Sequence, residues 1–155
     1  MKSSGFTLVE ILIVVVILGI LAAIVIPQFT DASTEAQLSS LCADLQTMRS
    51  QIELYKIQHI DNLPDTNSLA EFSDCMLGWT NKLGEVGTVR ADYPFGPYMH
   101  KIPSNPFVAE ADANEIDFTG TTCPADGQTG WWMNTTTGEF RANSLEADWP
   151  EHKNL

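Results

Sequence analysis

Apolar residues follow two different patterns in the N-terminal part of the chain. From Phe6 to Ile26 only Thr7, Glu10 and Gly19 are not plainly apolar, and this is about the ~20 residues that a helix needs to cross a bilayer core. Apolar positions then recur at alternating steps of three and four, as on one face of an amphipathic helix: Leu38, Leu41, Leu45, Met48, Ile52, Tyr55 and His59. The patterns predict one helix from Phe6 to about Ile57, apolar on all sides at first and on one side afterwards.

Pro27 falls between the two patterns. Inside a helix, a proline removes one backbone hydrogen bond and clashes with the preceding turn, so it kinks or ends the helix. Because the helical pattern resumes after it, Pro27 predicts a kink in a continuing helix. We therefore divide the chain into a transmembrane helix, residues 6–27, and a globular domain, residues 28–155, which is long enough to form one small core.

Shorter elements are predicted after the long helix. The sequence Ser68-Leu-Ala-Glu71 matches a capping box, which predicts a short helix from about Leu69 to Trp79. Residues 92–107 contain four prolines and four aromatic residues. Prolines at this density exclude a helix and permit only an edge strand or an ordered loop, and the aromatic residues favour a loop that packs against the domain.

The last predicted element is a β-hairpin. Trp131 to Met133 are strand formers, residues 135–138 form the turn, and Phe140 begins the return strand. The polar sequence beyond Asn143 predicts a loose end. The predicted fold class is α+β, with the long N-terminal helix packed on a small antiparallel β-sheet.

The charge of the chain is concentrated in the predicted domain. The formal net charge is −12, and it all lies from Asp31 onward because Lys2 and Glu10 cancel. A domain this acidic disfavours nucleic acid as a direct partner. It is compatible with binding of a divalent cation. Lys2 precedes the apolar run, whereas Asp31 and Glu35 follow it, so the positive-inside rule predicts a cytoplasmic N-terminus and an exported domain.

One carboxylate, that of Glu10, lies within the apolar run. A charge at that depth is unfavourable by roughly 2.5–3.5 kcal/mol on insertion scales. Glu10 either lies near the helix end and reaches the headgroups or meets a partner cation inside the membrane, and its position alone leaves both interpretations open. Cleavage of a signal peptide is disfavoured, because the run is longer than an h-region and continues past Ala22-Ala23.

The residues that could carry chemistry are few and scattered. An exported domain can keep a disulfide, and the three cysteines allow one bridge in any of three pairings. Cys75–Cys123 is the favoured pairing, because Cys42 lies beside the apolar stripe of the helix. No C-x-x-C, G-x-S-x-G, H-E-x-x-H or phosphate-loop motif is present, and the histidines are dispersed: His59, His100 and His152.

The sequence Gly5-Phe6-Thr7-Leu8-Val9-Glu10, followed by an apolar run and Pro27, resembles the N-terminus of the type IV pilin and pseudopilin class. The resemblance implies a leader, residues 1–5, that a prepilin peptidase removes after Gly5, and N-methylation of Phe6. It also implies an assembly role for Phe6 and Glu10, because the amine of one subunit can meet the carboxylate of its neighbour, and the pair is much less costly than either charge alone.

Two internal segments, residues 45–56 and 96–106, are similar to the major, G-type pseudopilins of type II secretion. This resemblance implies a structural subunit, not an enzyme, that polymerises into a periplasmic pseudopilus and drives protein export across the outer membrane. The implied partners are further copies of the chain, minor pseudopilins, an inner-membrane assembly platform and the prepilin peptidase. The implied location is the bacterial inner membrane, spanned once. The alternatives are a type IV pilin for adhesion, motility or DNA uptake, a minor pseudopilin, and, least favoured, a membrane-anchored enzyme.

Members of this family hold a calcium ion with carboxylates of the C-terminal loops. The corresponding loop here has a single carboxylate, and the usual D-P-W-G sequence appears as Asn105-Pro-Phe-Val108. Calcium prefers oxygen ligands, and a solvated acidic loop is the alternative interpretation. Calcium is therefore the one cofactor candidate, with four predicted ligands: Asp112, Asn114, Asp117 and Asp126.

Overall fold

The computed structural model describes residues 6–65 and 67–145. The predicted leader and most of the predicted loose end lie outside the described residues. Within them the α+β class is confirmed, with seven elements: α1 Leu8–Gln58, α2 Leu69–Leu77, β1 Trp79–Thr80, β2 Val86–Gly87, β3 Ile116–Asp117, β4 Trp131–Met133 and β5 Phe140–Ala142.

The long N-terminal helix is confirmed, and α1 continues without a break through position 27. The kink at Pro27 stays a prediction, because a proline can bend a helix without ending it. The helix stops at Gln58, and the Asp61 N–H then donates to the Lys56 carbonyl at 2.9 Å. Just beyond the stop, Ile60 and Asp61 adopt left-handed backbone conformations, with φ of 59° and 64°.

One face of the second half of α1 lies in the core of the domain, as the apolar stripe predicts. Leu38 is half-buried, and Arg49 Nε joins the helix to β5 by donating to the Phe140 carbonyl at 2.9 Å. The remaining members of the stripe are each at most 1% exposed: Leu41, Leu45, Met48, Ile52, Tyr55 and His59.

The second helix begins as predicted and ends earlier. Ser68 Oγ accepts the Glu71 N–H at 3.2 Å, which is the N-cap bond of the predicted capping box, and the Ser68 hydroxyl also donates to Glu71 Oε2 at 3.2 Å. The helix ends at Leu77, before the predicted Trp79. Gly78 stops it in an extended conformation, and Trp79 begins β1 because it pairs with Gly87 of β2.

The sheet differs from the single antiparallel sheet that was predicted. The described strands form two separate sheets, an antiparallel pair β1–β2 and a three-stranded sheet in the order β3-β4-β5. In the second sheet β3 and β4 are parallel, with Ile116 opposite Trp131. The prediction was wrong on this point because a long connection between β3 and β4 returns the chain to the same end of the sheet, which no local pattern signals.

The hairpin of β4 and β5 is confirmed, with Met133 opposite Phe140. Its turn is organised by Asn134, whose side-chain oxygen accepts the N–H groups of Thr136 at 2.9 Å and Thr137 at 3.0 Å. Gly138 N–H donates to the Asn134 carbonyl at 2.9 Å and completes the turn.

The proline-rich loop is ordered and packs against the domain, as its aromatic residues predict. Phe95 forms a bridge with Thr80 of β1 through two backbone hydrogen bonds of 3.0 and 3.1 Å. Tyr98, Ile102 and Asn105 are buried. Asn105 Nδ2 donates to the carbonyl of Gly130 at 2.8 Å, which fixes the loop beside β4.

The chain forms two compact units, residues 1–39 and residues 40–155. The first unit holds the apolar half of α1. The second holds the amphipathic half of α1, α2 and both sheets, and it contains the core described above.

Candidate functional site

The first turn of α1 is closed by a polar cap formed by Thr7 and Glu10. Glu10 Oε2 accepts the Thr7 N–H at 2.8 Å and the Thr7 hydroxyl at 2.7 Å. In return, the Glu10 N–H donates to Thr7 Oγ1 at 3.3 Å. This reciprocal arrangement is a capping box. No role was predicted for Thr7, although the Thr-x-x-Glu pattern before an apolar run was sufficient to identify one.

The cap uses one oxygen of the Glu10 carboxylate and leaves the other, Oε1, able to accept a hydrogen bond. Both bonds that Glu10 accepts from Thr7 end at Oε2, and no donor from the described residues lies within hydrogen-bond distance of Oε1. A carboxylate has about four lone-pair sites, so Oε1 can accept a further donor without breaking the cap. The negative charge also lies at the helix N-terminus, where the helix dipole favours it.

The helix that follows the cap is apolar and uncovered. One segment of the described chain, Leu8–Ile26, is long and apolar enough to cross a membrane, with a mean hydropathy of 3.3 and none of it buried. Its large side chains are at least 41% exposed. A Cβ added at Gly19 would have no atom within 4 Å, so another helix can approach closely there. Apolar surface this continuous requires lipid or protein to cover it.

The predicted processing site is described in part. Phe6 is 82% exposed and lies just before the cap, whereas Gly5 lies outside the described residues. Cleavage and N-methylation at these positions stay predictions.

The predicted calcium ligands are not brought together. Asp117 and Asp126 line one open cavity of about 410 Å³, but Asp112 and Asn114 do not. The Asp117 and Asp126 carboxylates are used within the loops, by the N–H of Thr119 at 2.8 Å and the side-chain N–H of Asn143 at 3.0 Å. Among the described residues, no three His, Cys, Asp or Glu side chains gather as a metal site. Calcium binding by these four residues stays a prediction.

The cysteines are three free thiols, so the favoured Cys75–Cys123 bridge is not formed. The physical reason is that the two sulfur atoms have different neighbours. Cys75 is buried in α2 with its sulfur 4.0 Å from the Gly84 carbonyl, whereas Cys123 Sγ lies 3.6 Å from the carbonyl of Ala142 in β5. Burial raises the pKa of the Cys123 thiol, which favours its protonated form.

His59 is a packed core residue, as its place in the stripe predicts. It is fully buried, with Nδ1 2.7 Å from the Tyr55 carbonyl and Nε2 2.9 Å from Thr80 Oγ1. Its ring stacks on the Tyr55 ring with the centroids 3.8 Å apart. Burial is also the main cause that raises the pKa values of the Tyr55 and Tyr98 hydroxyls.

Comparison with known proteins gives two kinds of match. The family model for the prokaryotic N-terminal methylation motif matches residues 1–26. The type II secretion system core protein G of Dickeya chrysanthemi is 30% identical over 109 residues, which is 70% of this chain and 66% of that protein. The type IV major fimbrial protein FimA of Dichelobacter nodosus is 40% identical over 91 residues, 56% of this chain and 52% of that protein.

The core protein G of Aeromonas hydrophila is 28% identical over 106 residues, 68% of each chain. The chain thus spans between about half and two thirds of the length of these relatives. No solved structure matches it. With its methylation motif, its apolar helix and its α+β domain, the chain belongs to the pilin and pseudopilin class, and its relatives include several G-type pseudopilins.

Proposed function

We propose that the chain is a structural subunit of a type II secretion pseudopilus, which polymerises through α1 and drives protein export across the outer membrane. One observation carries the proposal. Glu10 lies at the start of an exposed apolar helix, and only one of its two carboxylate oxygens accepts hydrogen bonds from Thr7. The relatives named core protein G support the same function. Because the class is a structural one, we assign no catalytic activity to the chain.

Processing would supply the cation that Glu10 needs. Removal of residues 1–5 by a prepilin peptidase leaves a positively charged, N-methylated amine on Phe6. Thr7 holds Oε2 of Glu10, so Oε1 of one subunit is free to accept the Phe6 amine of the next. Each charge is costly in lipid and the pair is much less so. Subunits that dock in the correct register are therefore stabilised, and those out of register leave both charges unpaired.

The same proposal includes the orientation of the chain in the membrane and the partners of the polymer. We place the N-terminus in the cytoplasm and the domain in the periplasm, because Lys2 precedes the membrane helix and the acidic residues follow it. A bend at Pro27 would allow α1 to leave the bilayer. The polymer would contain many copies of this chain, meet minor pseudopilins, and receive its energy through an inner-membrane assembly platform.

A surface type IV pilus is the second candidate, and the 40% identity to a major fimbrial protein favours it. The two candidates share the assembly step and differ in where the filament is found. Deleting the gene would abolish secretion of exported enzymes in the first case and remove surface fibres in the second. A minor pseudopilin would differ from both in being present at few copies per filament.

The test replaces Glu10 by glutamine, which keeps a hydrogen-bond acceptor and removes the charge. Glu35→Gln is the matched control, because Glu35 is an exposed acid on the same helix beyond the membrane segment. Removing one partner of a buried charge pair costs about 3–5 kcal/mol, so we expect Glu10→Gln to reduce the yield of sedimentable polymer at least tenfold. Glu35→Gln should assemble like the parent chain.

Intact mass of the polymer subunit gives the second readout. A mature chain that begins at N-methylated Phe6 is expected in the parent and in both variants. Normal assembly of Glu10→Gln, or a polymer of subunits that still begin at Met1, would disprove the amine–carboxylate mechanism.

A further inference from the structure

One cavity of the unit that starts at residue 40 has a mostly polar lining and takes no part in the site described above. Its volume is about 500 Å³, which lies within the roughly 300–1,000 Å³ of small-molecule sites in proteins. It opens between the end of α1, the α1–α2 connection, α2, and the β1–β2 and β4–β5 turns. The lining residues that decide its chemistry are Tyr55, Asp65, Cys75, Gly84 and Thr135.

A chain of hydrogen bonds forms the floor of this cavity. Tyr55 and Cys75 are only 1% and 3% exposed. The Cys75 thiol donates to the Gly84 carbonyl, with the sulfur 4.0 Å from the oxygen, and the Tyr55 hydroxyl is hydrogen-bonded to the same sulfur. Because the thiol has one hydrogen and uses it on Gly84, the tyrosine is the donor in that bond. The lone pairs of the Tyr55 oxygen therefore remain as acceptors, and no described residue donates to them.

Gly84 keeps the space in front of the Tyr55 oxygen open. Its φ is 87°, in the left-handed region that favours glycine, and a Cβ added there would lie 2.8 Å from the Tyr55 hydroxyl. Any other side chain would thus fill the cavity at this point. A buried polar atom without a partner is rare in native proteins and requires an explanation. An unpartnered acceptor facing an open cavity indicates that a donor from a ligand occupies the space.

The charge of the lining selects the sign of the ligand. Asp65 is exposed at the mouth of the cavity. One of its carboxylate oxygens accepts the Asn67 N–H at 3.0 Å, and no described residue donates to the other. Burial is the main cause of the raised pKa of Tyr55, and the nearby charge of Asp65 adds to it. None of the described lining residues is Lys, Arg or His, so the cavity attracts cations and repels anions.

The acceptors of the cavity match one kind of cation. The oxygen of Tyr55, the free oxygen of Asp65 and the hydroxyl of Thr135 are three acceptors to which no described residue donates. A primary ammonium group carries three N–H donors and no acceptor. Calcium takes about six to eight oxygen ligands, commonly from several carboxylates, whereas the described lining has one carboxylate. A neutral alcohol would leave the Asp65 charge without a partner.

We propose that this cavity binds a primary ammonium group, which donates to Tyr55 at the floor and to Asp65 and Thr135 at the mouth. The ammonium group belongs either to a small free amine or to a lysine side chain of another protein, because both present the same chemistry. The proposal goes beyond the polymer and does not depend on it, since all of these residues lie in one subunit.

Alkylation of Cys75 measures whether the cavity is occupied, because its thiol is part of the floor. The full chain in non-ionic detergent micelles is treated with iodoacetamide, and mass spectrometry of its peptides gives the rate for each cysteine. Cys123 is the internal reference, because its sulfur lies beside β5. Butylamine is the probe, and butanol is the matched neutral probe at the same pH and ionic strength.

The ammonium ligand should protect Cys75 selectively. At about ten times its Kd, a ligand leaves roughly one site in eleven empty, so butylamine should slow alkylation of Cys75 about tenfold. The rate at Cys123 should not change, and butanol should protect neither thiol. Polylysine tests the source: protection by polylysine as well as butylamine assigns a lysine side chain, and protection by butylamine alone assigns a free amine.

Two matched variants separate binding in the cavity from attraction to an acidic domain. Asp65→Asn keeps the acceptor for the Asn67 N–H and removes the charge, so it should lose most of the protection. Asp61→Asn removes an exposed acid that follows α1 and does not line the cavity, so it should keep the protection. Tyr55→Phe removes the acceptor at the floor and should reduce the ratio of the rates without and with butylamine.

Several results would overturn the proposal. Fluorescence of the buried Trp131 and Trp132 checks that every variant is folded. Equal protection by butanol or calcium chloride, or undiminished protection in folded Asp65→Asn, would exclude an ammonium site. A Cys75 that does not react in the folded chain without amine would show that the cavity is closed to ligands. Because unassembled subunits are measured, none of these results bears on the assembly of Glu10→Gln.

Discussion

Replacing Gly130 by alanine tests how tightly the proline-rich loop and the three-stranded sheet are packed. The added Cβ would overlap the carbonyl oxygen of Ala113 and lie 2.5 Å from its carbonyl carbon. Both atoms belong to the backbone, so no flexible side chain can move away. Gly130 also donates to the Asp112 carbonyl at 2.8 Å, and its own carbonyl accepts from Asn105 Nδ2 at 2.8 Å and the Asn143 N–H at 3.0 Å.

The magnitude follows from these contacts. Overpacking of a rigid site costs about 1–3 kcal/mol, and each hydrogen bond that the shift weakens contributes about 1 kcal/mol. We therefore expect Gly130→Ala to lower the free energy of unfolding by about 3–5 kcal/mol, which is a large part of the roughly 5–15 kcal/mol that a domain has. The assay is urea unfolding of the full chain in detergent micelles, followed by tryptophan fluorescence.

A matched control separates steric overlap from backbone preference. Gly120 has a φ of 73°, but a Cβ there would lie 3.8 Å from its nearest neighbour. Gly120→Ala should therefore cost only the left-handed strain, about 1–2 kcal/mol. If Gly130→Ala proved no more destabilising than Gly120→Ala, the packing described for residues 105–113 against β4 would be incorrect.

Two further predictions concern titration and thiols. Burial raises the pKa of Tyr55 and Tyr98, so the unfolded chain loses these protons at lower pH than the folded chain, and stability should fall as the pH rises above about 10. Tyr55→Phe should show a shallower fall in urea titrations between pH 8 and pH 11 (roughly, around the tyrosine pKa), and an unchanged slope would contradict the assignment. Unreduced protein in denaturant should titrate three free thiols, whereas a count of one would show a disulfide.

The parts of the fold that could be predicted are those with a local physical signal. The stripe of α1 from Leu41 to His59 has a helical period, and every buried member of it was identified. The β4–β5 hairpin was recognised because its turn chemistry lies in a few consecutive residues, with Asn134 and Gly138 at its ends. The same holds for the Ser68 cap of α2.

The parts that could not be predicted depend on residues distant in sequence. Ile116 pairs with Trp131 in parallel, and the short pattern around Ile116 carries no information about the direction of its neighbour. Trp79 has a helical neighbourhood, yet it joins β2 because Gly78 ends α2. At the candidate sites, composition shows which oxygen and sulfur atoms are present, but not where they point, so the predicted calcium ligands and the Cys75–Cys123 pairing could not be judged before the fold was known.

The bond between Arg49 and Phe140 joins residues that are 91 positions apart, and this separation affects how the domain folds during synthesis. At about 5–20 residues per second, roughly 5 to 20 s pass between the synthesis of Arg49 in α1 and that of Phe140 in β5. During that interval the stripe has no covering sheet, so a chaperone or the membrane surface must shield it. Translation order therefore makes covering of the apolar stripe by β5 one of the last steps in the folding of the domain.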